Sequence, residues 1–96
     1  MNYRQKILEK AIVMSAEGGF SRLTRDRVAK EAGVAAGMVN KCFGTIEGLR
    51  RAAITEAVRV EDLSVVAQGL ALGYEEAKAA PEQLKEKALA LLMRPA

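Results

Sequence analysis

Residues 24–45 read TRDRVAKEAGVAAGMVNKCFGT, and this stretch decides the fold. Thr24 is a suitable N-cap for a short helix over Arg25 to Ala32, because its hydroxyl can accept a backbone N–H of the first turn. Val28, Ala29 and Ala32 give that helix an inner face. Gly33 stands where a tight turn needs a positive φ, so a β-branched residue there would be strained. Val34 then locks the turn onto the core, and a second short helix is predicted from about Ala36 to Phe43, with Val39 and Phe43 facing inward. Ala29 is small where the second helix must pass close by. Two short helices meeting at a steep angle about a glycine turn make a helix-turn-helix.

Outward from this stretch the same alphabet continues. Ile7, Leu8, Ala11, Ile12 and Met14 recur at three- and four-residue spacing, which predicts a first helix from Tyr3 to Ala16. Gly18-Gly19 stops it, and Phe20 can fold back onto the core. Gly44-Thr45 breaks the chain after the second short helix. Thr45 caps a longer helix from Ile46 to about Val60, with Leu49, Ala53, Ile54, Ala57 and Val58 inward. Leu63, Val66, Ala67 and Leu70 mark a further helix whose end Gly69 and Gly73 weaken. A polar segment runs over Tyr74 to Lys78, and Pro81 is expected at the first position of a last helix bearing Leu84, Ala88, Leu91 and Leu92. The expected fold is all-α: a three-helix helix-turn-helix unit over residues 1–60, followed by two to three short helices over 61–96, all in one compact body.

Composition narrows the function. With no histidine and one cysteine in 96 residues, no set of metal ligands, internal disulfide or common general base is in view, so neither an enzyme nor a cofactor is expected. Cys42 reads as a small, partly buried residue without a functional role. No apolar run has the length or flanks of a signal peptide or membrane span, and a cytosolic location is expected. Residues 1–60 hold eleven Lys/Arg against six Asp/Glu, and residues 61–96 hold four against six. The front half is therefore basic at +5 and the remainder acidic at −2, which suits a polyanion-binding front.

The run Ile7-Leu8, Ala11-Ile12, Ala16-Glu17-Gly18-Gly19-Phe20, Leu23-Thr24, Val28-Ala29, Ala32-Gly33-Val34, Gly37, Phe43 and Leu49 resembles the N-terminal DNA-binding domain of the TetR family of repressors. It aligns without a gap over about residues 5–60. The resemblance implies that Ala36 to Cys42 is a recognition helix for the major groove of double-stranded DNA, where an α-helix fits and its N-terminal residues reach base edges. Asn40 and Lys41 are the expected base readers. Ala36 and Gly37 allow close approach, and Met38 either reaches an apolar base edge or covers the core. Thr24, Arg25 and Thr45 lie at helix starts where phosphates can be held.

Three residues depart from the family pattern. Asn40 stands where the family has Tyr, Ile46 replaces a phosphate-gripping Lys, and Ser15 replaces a core aromatic, so Asn40 and Ile46 are read on their own chemistry. About 36 residues follow the helix-turn-helix unit, where family members continue into a much larger ligand-binding domain. No small-molecule inducer is therefore expected, and the short form resembles the small repressors of plasmids and phages. A homodimer on a palindromic operator is expected, joined through Leu63, Val66, Leu70, Leu89 and Leu92. The alternative is a helix-turn-helix protein-interaction module or a recombination or partition accessory factor.

Overall fold

The computed structural model describes residues 2–94; Met1, Pro95 and Ala96, which the two expected segments include, lie outside the described residues. Among the described residues there are seven α-helices and no strand. Helix α1 spans Tyr3–Gly18, capped by Asn2, whose side chain accepts the Gln5 amide at 3.1 Å. It runs two residues beyond the expected end, and Gly19, at φ 81°, stops it. A single 3₁₀ turn, Phe20–Arg22, returns Phe20 to the core; the sequence reading did not anticipate this element.

Helices α2 (Arg25–Ala32) and α3 (Ala36–Phe43) fall on their expected bounds. Gly33 is left-handed at φ 70°, and the Val34 amide returns to the Ala29 carbonyl at 3.0 Å, closing the end of α2 onto the turn. Helix α4 (Ile46–Val60) follows Thr45 and ends at Glu61, the one non-glycine residue described with positive φ. Asp62 caps α5 (Leu63–Ala71) through the Val65 amide at 3.2 Å. The segment expected to be merely polar contains a helical turn, α6 (Glu75–Lys78). Pro81 is the N-cap of α7 (Glu82–Leu92), one position earlier than expected. Proline still serves there because it offers no N–H to leave unpaired.

The core is one contiguous cluster running from Ile7 and Leu8 of α1 through Val28, Val39, Leu49 and Ile54 to Val65, Val66, Leu84 and Ala88. Helix α5 packs on α7 and α4 and touches α1. Helix α5 does end two residues after Gly69, and that glycine also has a packing role. It is buried, and a Cβ there would lie 2.9 Å from the Ala77 Cβ and 3.2 Å from the Ile54 Cδ1, so the missing side chain lets α4, α5 and α6 converge. Val66 is also a correction: it is 0 % exposed within the chain, and its side chain is unavailable to a second copy in this packing.

Gln68 joins the two halves. Its Nε2 donates to the Ser15 carbonyl at 2.7 Å, and its Oε1 accepts the Phe20 amide at 3.1 Å, which satisfies the backbone where α1 ends. Losing that amide would leave the Phe20 N–H without a partner, at about 1–3 kcal/mol, while the Ser15 carbonyl keeps the Gly19 amide at 2.9 Å. Ser15 fits the core without an aromatic because its hydroxyl donates to the Ala11 carbonyl at 2.7 Å.

Gln5 of α1 also reaches Glu56 of α4, whose carboxylate accepts Arg59 Nε at 2.7 Å and Nη2 at 2.6 Å. Those bonds, first the one from Arg59, hold the Glu56 carboxyl at about 2 against an ordinary 4.5. A carboxyl lowered on folding stabilises the fold fully above its ordinary value, and the contribution disappears as pH falls from about 4.5 toward about 2. Glu56→Gln should therefore be less stable than the parent at neutral pH and converge on it as pH falls through that window. Urea unfolding at a series of pH values measures this, and a difference independent of pH would contradict it. Among the described residues no helix is long and apolar enough to cross a membrane.

Candidate nucleic-acid interface

Helix α3 sorts its eight residues by side. Val39 is buried, Ala36, Met38, Cys42 and Phe43 are half-buried against the core, and Gly37, Asn40 and Lys41 are exposed. At 100° per residue the three exposed positions form one continuous outward arc. The helix carries no acidic residue. Asn40 offers an amide that both donates and accepts, and Lys41 offers an ammonium, the pair of groups that suits purine edges in the major groove.

Gly37 is the unusual member of this arc. Glycine in a helix is destabilising by about 0.5–1 kcal/mol relative to alanine, so a reason for it is wanted. A Cβ built at Gly37 meets nothing within 4 Å. The fold does not require this glycine, and what its bareness permits is close approach from outside.

The helix starts differ in a way that bears on anions. Thr24 caps α2 by accepting the Arg27 amide at 3.2 Å, and Thr45 caps α4 by accepting the Gly48 amide at 3.0 Å. At α3 the N-cap is Ala35, which makes no side-chain cap hydrogen bond. The Met38 amide donates to the Ala35 carbonyl at 2.9 Å, and the Ala36 and Gly37 amides stand at the positive end of the helix dipole. Arg25 is exposed and lies 3.4 Å from Asp26, a contact of little strength at such exposure. Ile46 is half-buried and packs on the core, so at this position the side chain is structural.

Of the sequence-predicted residues, Thr24, Arg25, Gly37, Asn40, Lys41 and Thr45 are exposed, while Ala36 and Met38 are half-buried. Met38 belongs to the packing side of α3. The sequence reading missed Gly48, whose lack of a side chain sets the corner between α3 and α4. A Cβ there would sit 2.2 Å from the Phe43 carbonyl oxygen. It also missed Arg4, whose guanidinium carbon stands 5.0 Å from the centre of the Phe43 ring. Neither leaves a local pattern, since each depends on where another element passes.

Residues 7–53 match the family model of the bacterial regulatory proteins, tetR family. This segment is similar to the helix-turn-helix DNA-binding domain of that family. The matched span runs from Ile7 in α1 to Ala53 in α4, and so includes α2, the Gly33 turn and the outward arc of α3. No curated protein and no solved structure matches the chain. Between the matched segment and the residues that follow it, a cleft of about 520 Å³ lies among Phe20, the start of α4 and the Leu72–Glu75 stretch. Around this cleft the Tyr74 hydroxyl donates to Glu47 at 2.7 Å, Arg50 pairs with Glu47 at 3.5 Å, and Arg51 pairs with Glu76 at 3.3 Å, while Arg50 Nε and Glu76 Oε1 are buried without a hydrogen-bond partner. The bond from Tyr74 is the main influence lowering the Glu47 carboxyl, while burial, and then Glu47 itself, raises the Tyr74 hydroxyl.

Proposed function

We propose that the chain is a sequence-specific double-stranded DNA-binding transcriptional regulator that binds a palindromic operator as a homodimer and represses by occupying it. The observation that carries this reading is the outward arc of α3: a glycine that the fold does not need, beside an amide and an ammonium that it leaves exposed. In this reading Asn40 pairs with adenine and Lys41 donates to guanine. Ala36 and Gly37 let the backbone approach, and Thr24, Arg25, Thr45 and the Ala36 and Gly37 amides hold phosphates and fix register. Residues 1–60 make the DNA contact and residues 61–96 the dimer. Effector binding has no part in the proposal.

Selection of bound fragments from a random duplex pool at physiological salt tests the function. The enriched fragments should carry two half-sites related by a dyad and about one helical turn apart. A pool without enrichment would contradict sequence-specific binding and favour a protein-interaction role.

The glycine argument yields its own prediction. Gly37→Ala should raise stability by about 0.5–1 kcal/mol, through better helix propensity, and should weaken binding to the selected site. Thermal unfolding and a binding isotherm on one preparation measure both, and unchanged binding would remove the close-approach role.

For the dimer, α7 presents Leu89 at 45 % and Leu92 at 47 % exposure, next to Met93 at 82 %. Leu63 and Leu70 of α5 are half-buried. Replacing Leu89 and Leu92 together by lysine should give a monomer in sedimentation with its helical spectrum intact. A persistent dimer would place the interface elsewhere.

A further inference from the structure

Arg4 lies in the first turn of α1, remote in sequence from the proposed recognition helix, yet its guanidinium sits over Phe43, the last residue of α3. A cation above an aromatic face is held by the ring's quadrupole. A guanidinium that stacks on a ring by its flat face keeps its N–H groups, which lie in the plane, free to donate sideways. Stacking on Phe43 and donating to an oxygen are therefore compatible. Glu56 is the carboxylate that feels the charge of Arg4, and it is already engaged on both oxygens by Arg59.

The far end of α3 has need of such a group. A helix C-terminus carries partial negative charge. The residues that follow, Gly44, Thr45 and Ile46, are uncharged, and Glu47 is acidic. Lys41 is the basic residue of the last turn, and in the proposed reading it is committed to a base. A phosphate backbone passing this corner would meet repulsion unless another element supplied a cation.

We infer that Arg4 is a further DNA contact, delivering a guanidinium from α1 to a phosphate at the C-terminal end of the recognition helix, with Phe43 as the residue that positions it. The inference rests on the DNA-binding reading above. Arg4 reads no base, so its effect falls alike on all sequences.

The test is affinity as a function of salt for the full chain, on the selected site and on a short mixed-sequence duplex. Arg4→Ala should lower the slope of log affinity against log salt by about 0.9 on both duplexes, the increment of one phosphate contact, with an unfolding midpoint lowered only by the few degrees that losing one exposed cation–ring contact costs. Arg4→Lys should keep the parent slope. Phe43→Leu, which keeps an apolar side chain but removes the ring, should weaken binding in the parent and add nothing in the Arg4→Ala background. An Arg4→Ala slope equal to the parent's overturns the inference, as does an equal Phe43→Leu effect with and without Arg4. Should Phe43→Leu fail to fold, the Arg4→Ala slope decides alone. A parent that binds neither duplex overturns the DNA-binding reading itself, and the role of Arg4 with it.

Discussion

Asn40→Ala combined with Lys41→Ala is expected to leave a folded protein that still binds DNA weakly and with salt sensitivity, but no longer prefers its selected site. Both side chains are exposed on α3 and support nothing inside the chain, so the helical spectrum and unfolding midpoint should stay close to the parent's. Each pairing with a base edge is worth about 1–3 kcal/mol of discrimination. Together they predict a loss of about 2–6 kcal/mol, or roughly thirty-fold to twenty-thousand-fold in the ratio of specific to nonspecific affinity. Nonspecific affinity should persist because it arises from phosphates. Competition between the selected duplex and bulk genomic DNA measures the ratio, and a ratio equal to the parent's would remove both residues from the readout.

The second large effect is on the fold. Gly48→Ala puts a methyl group 2.2 Å from the Phe43 carbonyl oxygen. That oxygen belongs to the backbone and accepts the Thr45 amide at 3.0 Å, so it cannot turn aside as a long side chain would. The corner joining α3 to α4 must open, at a cost of about 3 kcal/mol or more, the upper end of what overpacking produces. In a domain of this size that lowers the unfolding midpoint by at least about 12 °C. The contrast with Gly37→Ala is informative, because helix propensity alone predicts the same small gain for both. Space decides the sign: there is none at Gly48 and ample at Gly37. A Gly48→Ala midpoint equal to the parent's would contradict the packing described for this corner.

The helix-turn-helix was legible because its determinants are local. Thr24 and Thr45 announce helix starts through their own hydroxyls, and Gly33 announces the turn through its own φ. The four helices they punctuate begin where the pattern places them, and only α1 overruns, by two residues. The outward arc of α3 could likewise be read from spacing within a single helix.

What escaped depends on long-range neighbours. Gly69 read as a helix end because glycine disfavours helix, but its packing role is set by Ala77 and Ile54 arriving from two other helices. Gln68 looked like a polar interruption of an apolar run, yet its amide closes the backbone at the end of α1, fifty-three residues earlier. Val66 shares helical spacing with Leu63 and Leu70, and spacing cannot tell a face turned toward the protein's own core from one left for a partner. The 3₁₀ turn at Phe20–Arg22 and helix α6 are each too short to carry a period. Arg4 and Phe43 meet only because α1 crosses the end of α3.

The most direct test of the central claim is amide chemical-shift mapping during titration with the selected duplex. The account predicts the largest changes over Gly37 to Lys41, with smaller ones at Thr24, Arg25 and Thr45 and in the first turn of α1, and little change along α7. Largest changes on α5 to α7, with the amides of α3 unmoved at saturation, would contradict it.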